Sequence, residues 1–107
     1  MFAKSGNGRE HAPCPGVHRR TLNSGERMLM TEFRLEAGHT LPMHSHPQEQ
    51  SGYLVAGRIA LTLGDERREL APGDSWCIAP DVPHGAEILE DSLALEVFSP
   101  VREDYLD

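Results

Sequence analysis

Cysteine is scarce in this chain. Cys14 and Cys77 are the only two among 107 residues, and they stand at no paired spacing. That excludes a disulfide framework and a CxxC redox or zinc motif. It leaves a loop thiol and a partly buried strand thiol in a reducing, cytoplasmic setting as the expectation. Long apolar runs are missing too: no stretch approaches the ~20 residues of a membrane-spanning helix. The opening "MFAKSGNGREHAPC" has no apolar run, so it does not read as a secretory leader. Basic charge is in deficit, with 10 Lys and Arg against 17 Asp and Glu and a net charge of −7. A face for nucleic-acid phosphates or an anionic membrane is therefore not expected. A small anionic ligand remains compatible, because a local metal or arginine overrides the global field. Sustained i, i+3, i+4 apolar periodicity is also absent, which argues against any long helix.

Turn formers are abundant instead, with ten glycines and eight prolines. Residues 1–16 are rich in Gly, Pro and polar side chains and read as a loose N-terminal arm, with a single domain over 17–107. The domain divides into short apolar stretches separated by turn signals: "VHRRTL", "RMLMTEFRLE", "SGYLVAG", "RIALTLG", "SWCIAP" and "LALEVFSP". In the second of these Met28, Met30, Glu32 and Arg34 share one face. A strand-plus-turn unit of about 8–12 residues predicts an all-β sandwich or barrel. "VREDYLD" at the end reads as a helical turn or a tail lying across the sheet.

Chemistry concentrates in "PMHSHPQEQSGYLVAG". Alternation in an extended strand puts His44 and His46 on one face. If the parity resumes after Pro47, Gln50 shares that face and the acidic Glu49 turns away, so Gln50 is the better oxygen donor by geometry. His84, in "APDVPHGAE", is a fourth candidate. Three imidazoles and one oxygen donor, with one or two positions open, suit a divalent transition metal.

The run from Gly38 to Gly57 resembles the first motif of the cupins, with Gly38, His44, His46, Gln50 and Gly57 at the matching spacings. Gly73, Pro80 and His84 resemble the second motif. The resemblance implies an RmlC-like double-stranded β-helix, a jelly-roll barrel in which both motifs face one cavity. Gln50 replaces the glutamate usual in that family. A wholly neutral ligand set leaves the ion its full charge, making it a stronger Lewis acid that attracts carboxylates.

The ending "VFSPVREDYL", with "HSHPQEQ" upstream, is similar to the small metal-dependent cupins that ketonise 4,5-unsaturated monouronates from pectin and alginate. Carried onto this chain, that resemblance makes Glu96 the general acid/base and Arg102 a bidentate clamp on the substrate carboxylate. Phe98 becomes a cavity wall, and His44, His46, Gln50 and His84 become the metal ligands. Glu96 is one methylene longer than the aspartate typical there. Zinc, nickel, iron, manganese and copper all accept such ligands. The partners implied are a small anionic substrate and a second copy of the chain in a homodimer, with a place in sugar-acid metabolism. Two rivals remain: a quercetinase-like dioxygenase, with a cavity lined by aliphatics and methionines such as Met28, Met30 and Met43, and a non-catalytic module that senses a small molecule. His11, His18 and His39 read as solvated, as do Arg19, Arg20, Arg67 and Arg68. Trp76 reads as core or dimer interface.

Overall fold

The structure is a computed structural model that describes residues 1–106. Eight strands follow in order: β1 (Glu10–Cys14), β2 (Val17–Ser24), β3 (Leu29–Leu35), β4 (Thr40–His44), β5 (Glu49–Leu63), β6 (Glu66–Leu70), β7 (Ser75–Ile78) and β8 (His84–Ser99). One turn of 3₁₀ helix, Glu103–Tyr105, lies near the end. All ladders are antiparallel.

β5 and β8 organise the molecule, because each is long enough to serve two sheets. The first half of β5 pairs with the last part of β8, from Glu49↔Ser99 to Leu54↔Ala94. The register then shifts, and the second half of β5 pairs with the start of β8, ending at Leu63↔His84. One sheet therefore has the order β1-β2-β3-β8-β5-β7, and the other β4-β8-β5-β6. Gly57 sits at the bend with φ +91°. A Cβ there would collide with Ser92 and the Asp91 carbonyl, so the crossing requires glycine.

Alternation drives each strand to bury one face. Leu29, Thr31, Phe33 and Leu35 on β3 point inward, as do Ala94, Glu96 and Phe98 on β8. Val17, Leu54, Ile59, Leu61, Trp76, Ile78, Ala86 and Ile88 complete an apolar core between the sheets.

Three local expectations are corrected. Residues 10–14 are not part of a loose arm: they pair with β2 through Glu10↔Arg20 and Cys14↔Val17. Pro15-Gly16 makes the hairpin turn, with Gly16 at φ +76°, and the edge position accommodates Pro13. The thiols are also exchanged in exposure: Cys14 is half-buried, and Cys77 faces solvent because its neighbours Trp76 and Ile78 take the inward side of β7. Met28 and Met43 are 62% and 51% exposed, and Met30 belongs to the outward face of β3. The three methionines therefore do not line the cavity described next.

Candidate metal centre and cavity

The barrel opens into a cavity of about 340 Å³. Its walls are mostly apolar, with Leu41, Ile59, Leu61, Ile78 and Ala86 among them. Its polar groups are few, and all the sequence-derived candidates are there or border it.

His44 ends β4 and faces His84 at the start of β8, the two being register partners. His46 follows in the bend before β5. Their ring centroids lie 4.2 Å apart for His44–His84, 4.9 Å for His46–His84 and 5.9 Å for His44–His46. One ligand nitrogen from each falls within 4.8 Å of the others. Every ring is anchored by a carbonyl two residues away: His44 Nδ1 to Pro42 at 2.9 Å, His46 Nδ1 to Gln48 at 3.0 Å, and His84 Nδ1 to Val82 at 2.9 Å. A carbonyl only accepts, so each Nδ1 carries the proton and each Nε2 presents its lone pair.

Gln50 is buried and Glu49 exposed, as the strand parity requires. Gln50 Nε2 donates to Glu96 Oε2, which leaves its Oε1 facing His46 Nε2 at 2.9 Å. Two acceptors, Gln48 O and Gln50 Oε1, thus flank an imidazole that has one proton when neutral. Burial holds His46 below the ordinary histidine pKa, so a second ring proton is disfavoured. The Nε2 of His84 is buried with no hydrogen-bond partner at all. Burial also pushes the pKa of His84 down to about 4. A cation resolves every one of these mismatches. Two ligands at right angles, each about 2.1 Å from one ion, stand about 3 Å apart, the spacing observed between His46 and Gln50. The residues present fit a divalent metal.

Glu96 is 9% exposed, and both of its oxygens are engaged. Besides Gln50 on Oε2, the indole Nε1 of Trp76 donates to Oε1 at 2.7 Å. The Glu96 backbone carbonyl accepts from Thr31 Oγ1 at 3.0 Å. Burial raises its carboxyl to about 7, against the opposing pull of Trp76, Gln50 and Arg102. Phe98, fully buried, packs edge-on to His46 at 5.6 Å.

Arg102 borders the cavity but does not ion-pair with Glu96. Its Nε and Nη2 grip the Asp104 carboxylate at 3.3 and 2.9 Å. That occupies one edge of the guanidinium and leaves Nη1 for another acceptor. Its guanidinium also stacks on Tyr105, 3.8 Å from the ring centre, and lies 5.2 Å from that of Phe98.

One cavity residue, and a second that supports it, escaped the sequence reading. Tyr105 lies against Phe98 at 5.3 Å and lines the cavity. Arg19, expected on a solvated face, is 8% exposed and stacks on Tyr105 at 3.8 Å. Two guanidinium groups that close to one ring must occupy opposite faces. Thr21 Oγ1 adds a bond to the Tyr105 carbonyl at 2.5 Å. Inward parity with Val17 was the available signal for Arg19, and the run "HRR" disguised it. His18 pairs with Glu36 at 2.6 Å and His39 is exposed, both away from the histidine cluster.

A cupin-domain family model matches residues 31–100. The chain is a cupin. Its relatives include the pectin degradation protein KdgF of Dickeya dadantii, 28% identical over 93 residues that cover 85% of this cupin and 84% of that protein. The solved structure of KdgF from a Halomonas species superposes with a TM-score of 0.91 at 30% identity, covering 99% and 98% of the two chains. An RmlC-like cupin from Shewanella frigidimarina shares the fold with a TM-score of 0.92 at 24% identity, over 99% and 96%. The jelly-roll expectation and the resemblance to the uronate-ketonising cupins hold.

Proposed function

We propose that this cupin is a metal-dependent isomerase that ketonises a small unsaturated sugar acid, a 4,5-unsaturated monouronate. The observation that carries this reading is the meeting of the His44, His46, His84 and Gln50 donor set with Glu96 and Arg102 at one cavity. The likeness to the two KdgF proteins supports it.

A divalent ion held by His44, His46, His84 and Gln50 would supply Lewis acidity toward the substrate carboxylate and a neighbouring oxygen. The protein's own groups do the rest. The Nη1 side of Arg102 binds the carboxylate by charge-assisted hydrogen bonds. Opening of the sugar ring leaves an enol at C5. Glu96 places a proton on C4 as the enol oxygen gives one up, so the product is an isomer with no net proton gained. Phe98 and Tyr105 close the cavity wall and keep water from the reacting carbon. The resemblance also implies a homodimer, for which the outer sheet face around Tyr53, Val55 and Leu95 is the proposed surface; sedimentation velocity tests it.

The test follows the absorbance of the conjugated alkene with metal-loaded protein. Wild type should remove it faster than the spontaneous rate. Glu96→Gln should lower turnover by about 10²–10⁴-fold while metal content is retained. Decay at the spontaneous rate with wild type rejects this substrate. Binding without turnover would make the protein a sensing module.

The largely apolar lining of the cavity favours one second reading, a metal dioxygenase acting on an apolar substrate. Stoichiometric oxygen uptake with a flavonol would support it, and none would dismiss it.

A further inference from the structure

Glu96 is held by a tryptophan that reaches it across an intervening strand. The registers Gly52↔Trp76 and Gly52↔Glu96 set Trp76, Gly52 and Glu96 in one row across β7, β5 and β8. Adjacent strands stand about 4.8 Å apart, so the outer two are separated by about 10 Å. Any side chain at position 52 would stand between them. Gly52 has none, and a Cβ built there would fall within the Trp76 ring at Cε2, Nε1 and Cζ2. The backbone of Gly52 is not in the left-handed region that favours glycine. Space is the reason for a glycine here, and the indole occupies that space.

From this berth Trp76 Nε1 donates to one Glu96 oxygen at 2.7 Å while Gln50 holds the other. The terminal torsion of a glutamate is broad and weakly defined on its own, so two donors from two different strands are needed to fix its plane. We propose that Trp76 is the positioning residue of the Glu96 carboxyl, and that Gly52 is what allows it to reach. The assignment of Glu96 to proton transfer rests on the function proposed above; the contact itself does not.

Trp76→Phe keeps a ring in the berth and deletes the donor. It should lower kcat on the unsaturated uronate up to about 100-fold, with KM and metal content within twofold of wild type. In a Glu96→Gln background it should change kcat no further. A packing role would instead shift KM and melting temperature and multiply with Glu96→Gln. That result, or a kcat within twofold of wild type, overturns the proposal. Gly52→Ala should mimic Trp76→Phe by displacing the indole; should it fail to fold, the phenylalanine variant still decides.

A readout without turnover separates this inference from the reaction assigned above. Trp76 is the sole tryptophan, so its fluorescence reports this contact directly. Glu96→Gln in metal-free protein should change its emission, whereas Glu90→Gln at an exposed position should not. Unchanged emission in Glu96→Gln overturns the positioning role. If wild type leaves the uronate untouched, the reaction is rejected while the emission comparison still decides the contact.

Discussion

The two groups of polar side chains in the cavity, the metal end and the acid end, are built by opposite strategies. At the metal end, each histidine is oriented by a carbonyl only two residues away: Pro42, Gln48 and Val82. At the acid end, Glu96 depends on Trp76, twenty residues off, and on Gln50, forty-six residues off. Arg102 rests on Tyr105, whose other face is covered by Arg19 from the far side of the chain. Local anchoring makes the first end a property of short segments. The second exists only when four strands and the C-terminal turn are assembled.

The largest expected effect tests the independence of the two ends. His84→Ala removes a proposed ligand, so metal affinity should fall by more than the 10–100-fold typical of outer-sphere changes, read by equilibrium dialysis with elemental analysis. Trp76 emission should stay as in metal-free wild type. An altered emission would show that the acid end leans on the metal end after all.

The next effect is on stability against pH in metal-free protein. Glu96 keeps its proton in the folded state up to about 7, against an ordinary value of 4.5. Between those values the unfolded chain binds fewer protons than the folded one, so stability falls as pH rises, by about 3 kcal/mol in all. His84, lowered to about 4 from 6.5, acts the other way: its contribution is present above pH 6.5 and is lost as pH falls toward 4. The two slopes oppose each other between pH 4.5 and 6.5. Urea denaturation across that range should give a shallow profile for wild type and one rising steeply with pH for Glu96→Gln. A wild-type profile as steep as that of the variant would contradict the buried acid.

A smaller effect is expected from the aromatic stack. Arg19→Ala removes one guanidinium from Tyr105, a loss of about 1–2 kcal/mol. It should lower the melting temperature by several degrees and raise KM for the uronate more than it lowers kcat, because the Arg102 wall loosens. An unchanged KM would confine Arg19 to stability. The smallest effect belongs to Asp104→Asn: the Asp104 carboxylate is 62% exposed, and such pairs contribute ~0–1 kcal/mol. KM should move by less than about threefold. A larger drop in KM would show Asp104 competing with the substrate for Arg102.

The same contrast governs what could be read in advance. His44, His46 and Gln50 were legible because alternation along an extended segment needs only local sequence, and the parity that resumes on β5 rightly preferred Gln50 to Glu49. The spacing of turns gave the all-β class for the same reason. β1 was missed because its residues are polar and contain proline, which only an edge strand tolerates. Arg19 was misplaced because a charged side chain is expected outside, and nothing nearby in the chain announces Tyr105 as its partner. Trp76 was read as core or dimer interface and lies in the core, but the destination of its N–H depends on a cross-strand register that no local pattern encodes.

By itself, then, the sequence determined most of the strands, the inward faces of their apolar residues and the candidate donors His44, His46 and Gln50, because strand periodicity and backbone anchoring act over a few residues. Tertiary structure alone decided which donors fix Glu96 and how Arg19 and Thr21 hold Tyr105 in the wall. Those contacts join segments from twenty to more than eighty residues apart, and the grip on Glu96 is set by the shared register of Trp76 and Glu96 on Gly52, a glycine whose missing side chain lets an indole cross the sheet.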